Sequence, residues 1–198
     1  GEINDAIDHY EKALIINPKN SGIRANLGFI FQDLGQIDDA IDEYQKALEI
    51  NPIDANVLNN LGACLRGLGQ MKEAIECFER AIEIKPDYSH GHYNLGFVYQ
   101  DLGQIEKAIF QYEYAININN HAMAYHSLSY LKKYKANDPH IKKMHSLLTS
   151  KDLKQPERIY ICLALANIYE KIGNQLDFFK YLDEGNRLQK TESNYSLN

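Results

Sequence analysis

One phrase returns along this chain at a fixed interval, and the interval restricts the fold more than any other property. ANLGFIFQDLGQI at residues 25–37 comes back as YNLGFVYQDLGQI at 93–105, with NNLGACLRGLGQM at 59–71 midway. The period is 34 residues. At that period Gly1, Gly35, Gly69 and Gly103 align, as do Ala6, Ala40, Ala74 and Ala108, and Ala13, Ala47, Ala81 and Ala115. Tyr10, Tyr44, Phe78 and Tyr112 share a column, and Asn120 follows Pro18, Pro52 and Pro86 in another. Leu27-Gly28, Leu61-Gly62 and Leu95-Gly96 align in the other half of the unit, followed by Phe31, Leu65 and Tyr99.

Each half-unit has a helical stripe. Ala40, Ile41, Tyr44, Ala47 and Leu48 lie at i, i+3, i+4, i+7 spacing, which places them on one face. Gly35, Gly69 and Gly103 separate two such segments where a tight helix–helix turn is required. Pro52 and Pro86 close the second segment, because a residue preceding proline avoids the α region. Small residues at Gly28, Ala40 and Ala47 predict close backbone approach, and larger side chains there are expected to cost roughly 1–3 kcal/mol in overpacking. One hairpin cannot bury its apolar stripe alone, so the pattern predicts hairpins stacked on one another.

The period and the L-G, Y, A, F, A, P spacing resemble the tetratricopeptide repeat (TPR) over residues 1 to about 122. The Trp usual near the start of that unit is replaced by Arg24, Leu58 and His92. The resemblance implies an all-α fold, a right-handed α-solenoid of TPR helical hairpins. The expected organisation is the second half of a truncated repeat at 1–20, then repeats at 21–54, 55–88 and 89–122. A degenerate helical unit is expected at 123–150, an atypical capping hairpin at 151–190 and a disordered polar tail at 191–198. Asp138-Pro139 and Pro156 mark helix starts within the later units. Because the chain opens inside a unit without Met, further repeats are expected ahead of Gly1 in a longer parent.

Residues 125–190, from LKKYKANDPHIKKMHSLL through LANIYEKIGN to YLDEGNRLQK, are similar to the segment joining repeats to the catalytic domain in bacterial TPR-sulfotransferase proteins. That likeness implies an alternative role, the substrate-recruiting, non-catalytic arm of a larger sulfotransferase or glycosyltransferase.

Charge narrows the partners. Residues 1–130 hold 9 Lys and Arg against 19 Asp and Glu, a net −10, whereas residues 131–158 hold 8 against 3. An acidic array does not bind nucleic acid, which demands clustered cations. The basic segment (Lys132, Lys133, Lys135, Lys142, Lys143, Lys151 and Lys154) reads as a solvated face. No apolar run approaches the ~20 residues a membrane helix needs, so no membrane partner is expected. Cys64, Cys77 and Cys162 show no metal or disulfide spacing and read as buried thiols in a reducing, cytoplasmic setting. No phosphate loop or nucleophile elbow occurs, so no enzymatic activity and no cofactor are expected of this chain. His90, His92, His121 and His126 lack companions for a metal set and read as solvated loop residues.

The resemblance implies that the first helix of each repeat lines a concave groove for a protein or peptide. Successive first helices lie on the order of 10 Å apart, about three residues of extended peptide. The inward positions are Gly22, Ala25, Asn26, Phe29, Gln32 and Asp33, then Asn56, Asn59, Asn60, Ala63, Arg66 and Gly67, then His90, Tyr93, Asn94, Phe97, Gln100 and Asp101. Asn26, Asn60 and Asn94 share one column, and a carboxamide serves one N–H and one C=O of a guest backbone together. That row is similar to the asparagine ladder of O-linked N-acetylglucosamine transferases. The other reading has the same amides bonding helix backbones across units or facing water. Co-chaperones that grip chaperone tails use Lys, Asn, Asn, Lys and Arg where this chain has Ala25, Phe29, Asn60, His90 and Asn94, so a carboxylate clamp is not expected. Self-association through the open N-terminal end is a further expectation.

Overall fold

Every segment with a helical stripe is a helix in the computed structural model, which describes residues 2–195 and the side chains of residues 3–191. Among the described residues there are eleven helices and no strand. The chain divides between Gly103 and Gln104 into two compact units. The divide falls at the turn inside the 89–122 repeat, which the repeat pattern does not mark.

The first unit holds α1 (Glu2–Ile16), α2 (Ser21–Asp33), α3 (Ile37–Ile50), α4 (Ala55–Gly67), α5 (Met71–Ile84) and α6 (Ser89–Asp101). α2 pairs with α3 and α4 with α5 as hairpins, while α3–α4 and α5–α6 contacts stack one hairpin on the next. Gly35 and Gly69 turn these hairpins at φ 75° and 77°, a left-handed region that favours glycine. Asn20 caps α2 by accepting from the Ile23 N–H at 3.1 Å, and Asp54 caps α4 by accepting from Asn56 and Val57. The Ala column is fully buried at Ala40, Ala47, Ala74 and Ala81. Ala55, Leu58 and Ala81 form a core knot, with Leu48 and Tyr88 packed against it. Leu58 fills the place where the family pattern has Trp.

The second unit holds α7 (Ile105–Asn119), α8 (Ala122–Leu131), α9 (Pro139–Thr149), α10 (Gln155–Lys171) and α11 (Gln175–Tyr195). Asn120, in the proline column, adopts φ 57° and accordingly ends α7 with a left-handed cap. The α7–α8 link is therefore two residues, against four between α5 and α6, which is why Leu128-Ser129 arrives one residue early. α8 packs on α10, and α10 on α11, with α9 lying against α10. Asp138 caps α9 with Pro139 at its first residue, whereas α10 begins at Gln155, one residue before Pro156.

Three expectations change. The tail was expected to lack structure from residue 191, but α11 continues the preceding helix to Tyr195; residues 196–198 lie outside the described residues. His92 and His121 are buried rather than solvated. His92 Nε2 lies 3.1 Å from the Pro86 carbonyl oxygen, and His121 Nδ1 accepts from the Ala124 N–H as the cap of α8. Lys132 leaves the basic face to pair with Glu113 at 3.0 Å and Asp138 at 3.8 Å. The thiols of Cys64, Cys77 and Cys162 are free and raised by burial to about 11. Among the described residues no group of three or more His, Cys, Asp or Glu could hold a metal ion, and no helix is long and apolar enough to cross a membrane.

Candidate functional site

In the first unit α2, α4 and α6 lie side by side, α4 touching both neighbours. Their equal lengths and the 34-residue period bring the same columns onto one face. Asn26 is exposed, and Asn60 and Asn94 are half-buried. Phe29 is 53% exposed, so this aromatic at helical spacing is not a core residue. Gln32 is half-buried, and Asp33 and Asp101 stand exposed at the turn end. Arg66, Tyr93, Phe97 and Gln100 are half-buried, and Asn59 is buried.

The asparagine column is tied into the wall. Asn26 Nδ2 donates to the Tyr10 hydroxyl at 3.5 Å. The Tyr44 hydroxyl donates to Gln32 Oε1 at 2.9 Å and feels the Asn60 side chain, which opposes part of the rise in its pKa. Tyr10 and Tyr44 each precede their asparagine by 16 residues, so the repeat carries this pairing with it. The next pair breaks the rule, because the column has Phe78 and no hydroxyl. Asn94 Nδ2 donates instead to Asn59 Oδ1 at 2.8 Å, and Asn59 Nδ2 donates to Asn60 Oδ1 at 3.4 Å. The tyrosine column, read in the sequence as packing, is thus also a hydrogen-bonding column; its 16-residue offset from asparagine is the signal that could have revealed it. Burial pushes the Tyr44 hydroxyl far above its ordinary pKa, so it stays protonated as a donor.

An amide has two N–H groups and two acceptor lone pairs. One bond to a tyrosine or asparagine leaves part of that capacity on an exposed face. The guanidinium of Arg66 lies 4.2 Å from the Phe97 ring centroid, and Tyr93 meets Phe97 edge-on with centroids 6.2 Å apart. The face therefore combines amides, one cation and aromatic surface. His90 is exposed beside the Tyr88 ring at 6.0 Å.

Comparison with curated protein sequences finds no match. Among solved structures, MamA matches at 25% identity over 98% of this chain and 93% of its own, with a TM-score of 0.57. PilF of Pseudomonas aeruginosa matches at 21% identity over 98% and 90%, with a TM-score of 0.69. The first TPR of Spaghetti (RPAP3), bound to the HSP90 peptide SRMEEVD, matches at 20% identity over 56% of this chain and 89% of its own, with a TM-score of 0.54. The last two likenesses concern the fold alone. The tetratricopeptide repeat family model matches residues 21–87 and 53–126, over half of the chain. The chain, an all-α solenoid of helical hairpins with the character of a protein–protein interaction module, belongs to the tetratricopeptide repeat family.

Proposed function

We propose that the face made by α2, α4 and α6 binds an extended peptide segment of a partner protein, with Asn26, Asn60 and Asn94 holding its backbone. One observation carries the reading: three successive first helices present the same amide column beside the exposed Phe29 ring. Repeats spaced on the order of 10 Å meet an extended strand about every third residue. A backbone-directed amide row binds without fixing the guest's sequence, and aromatic surface adds apolar contact. The Spaghetti neighbour was solved bound to an HSP90 peptide, which supports a peptide as the guest.

The test is selection of random-sequence peptides by the intact chain, followed by affinity measurement with an Asn26→Ala, Asn60→Ala, Asn94→Ala variant whose helicity is checked. Affinity is expected to fall at least about tenfold, as lost backbone bonds of about 1 kcal/mol each imply. Tyr44→Phe removes the inter-repeat partner of Asn60 while leaving the groove amides, and is expected to retain binding. Undiminished affinity in the folded triple variant overturns the proposal.

A further inference from the structure

We infer that the groove selects a peptide carrying an acidic side chain, read by Arg66 from its seat on the Phe97 ring; this rests on the peptide-groove reading above. The chain has five arginines, and four have hydrogen-bond partners for the guanidinium. Arg24 bonds Glu43 and the Pro18 carbonyl, Arg80 the Pro52 carbonyl, Arg158 the Leu148 and Ser150 carbonyls, and Arg187 the Glu184 carboxylate. Arg66 differs. Among the described residues its guanidinium makes no hydrogen bond or ion pair; its contact is the aromatic face at 4.2 Å.

That geometry suits recognition. A guanidinium held over an aromatic face spends no N–H on a hydrogen bond there, and its donor fork matches a carboxylate with two parallel bonds. Stacking also fixes the long side chain beforehand, so less rotamer freedom is lost on binding. Helical side chains lean toward the N-terminus, and the ring that Arg66 meets, Phe97, stands in the column of Ala63, on the N-terminal side of Arg66 in α4. The Arg66 column holds Gln32 and Gln100 in the flanking repeats, so the cation singles out one place along the groove. Arg24, the other Arg or Lys on α2, α4 and α6, is bound to Glu43 of α3.

Asp33 and Asp101 stand one position further toward the turns. They repel an anion at that end, so the carboxylate approaches from the asparagine side. They also disfavour a doubly charged phosphate, in an array already at −10 over residues 1–130. A single carboxylate is the anion that fits.

The experiment takes the peptides selected above and remakes each with Glu→Gln or Asp→Asn, and with free or amidated C-termini. Expected are enrichment of Asp or Glu at one fixed position, a loss of about tenfold when that acid is neutralised, and a loss under about twofold for the same change against Arg66→Gln. The Arg66 Nε–H NMR signal should move with the acidic peptides and stay with the neutral ones. Asparagine-dependent binding without acidic preference overturns this inference and leaves the groove reading intact. Acidic preference that survives in Arg66→Gln, or that follows the C-terminal carboxylate, overturns it too. If no peptide is selected over the triple asparagine variant, both readings fall.

Discussion

A Cβ built on Gly62 would lie 2.8 Å from a ring carbon of Phe78, and one on Gly28 2.7 Å from Tyr44. The leucine-glycine column exists because a ring from the second helix presses against the first helix's backbone. Gly62→Ala is therefore expected to lose about 1–3 kcal/mol in urea unfolding. Gly67→Ala, with nothing within 4 Å, should be neutral or gain up to about 1 kcal/mol; equal losses at the two sites would refute the close-approach argument. Phe78→Tyr restores the hydroxyl that Tyr10 and Tyr44 supply. It should be accommodated within about 1 kcal/mol and draw Asn94 away from Asn59, visible as a shift of the Asn59 side-chain amide. The asparagine column could be read from the sequence and its 16-residue offset from the tyrosine column pointed to two of its partners, but nothing in the repeat pointed to Asn59 as the partner of Asn94.

Element ends were largely legible, because caps and turn glycines act locally: Gly35 and Asp138-Pro139 stand at the turn and the helix start their chemistry requires. The second unit was harder to read, since cross-helix bonds replace the repeat there. Lys171 on α10 donates to the Ser129 and Tyr130 carbonyls at 2.8 and 2.9 Å, closing the end of α8, and Asn167 donates to the Ser129 hydroxyl at 2.8 Å. Lys171→Met should cost roughly 1–2 kcal/mol by leaving those carbonyls with water alone, and faster amide exchange at the end of α8 would register it. α9 carries a second vulnerability. His140 sits in its first turn between the Tyr125 and Tyr134 rings. Burial, reinforced by Lys132 and opposed by Asp138 and Glu113, holds its pKa below the ordinary value. Burial also lowers His126 and His145. The unfolded chain then takes up protons first as pH falls below about 6.5. Stability of this unit should be full above that pH and decline through the acid side.

At the scale of the molecule, the repeat foretold the hairpins and their stacking but not the division after Gly103, which depends on contact density and not on any residue pattern. The histidines lowered by burial all belong to the second unit. Hydrogen exchange at pH 7.5 and 5.5, corrected for intrinsic rates, should show protection falling in α8–α10 and holding in α2–α5. Uniform loss would contradict the assignment of acid sensitivity to one unit. Within the first unit, the Tyr44 hydroxyl answers to two masters, Gln32 in its own hairpin and Asn60 in the next. Such a shared atom ties the conformation of one hairpin to the placement of the next. Phe78 cuts that wire. The joint just ahead of α6 is held by a different tie, Asn94 to Asn59 across the two first helices.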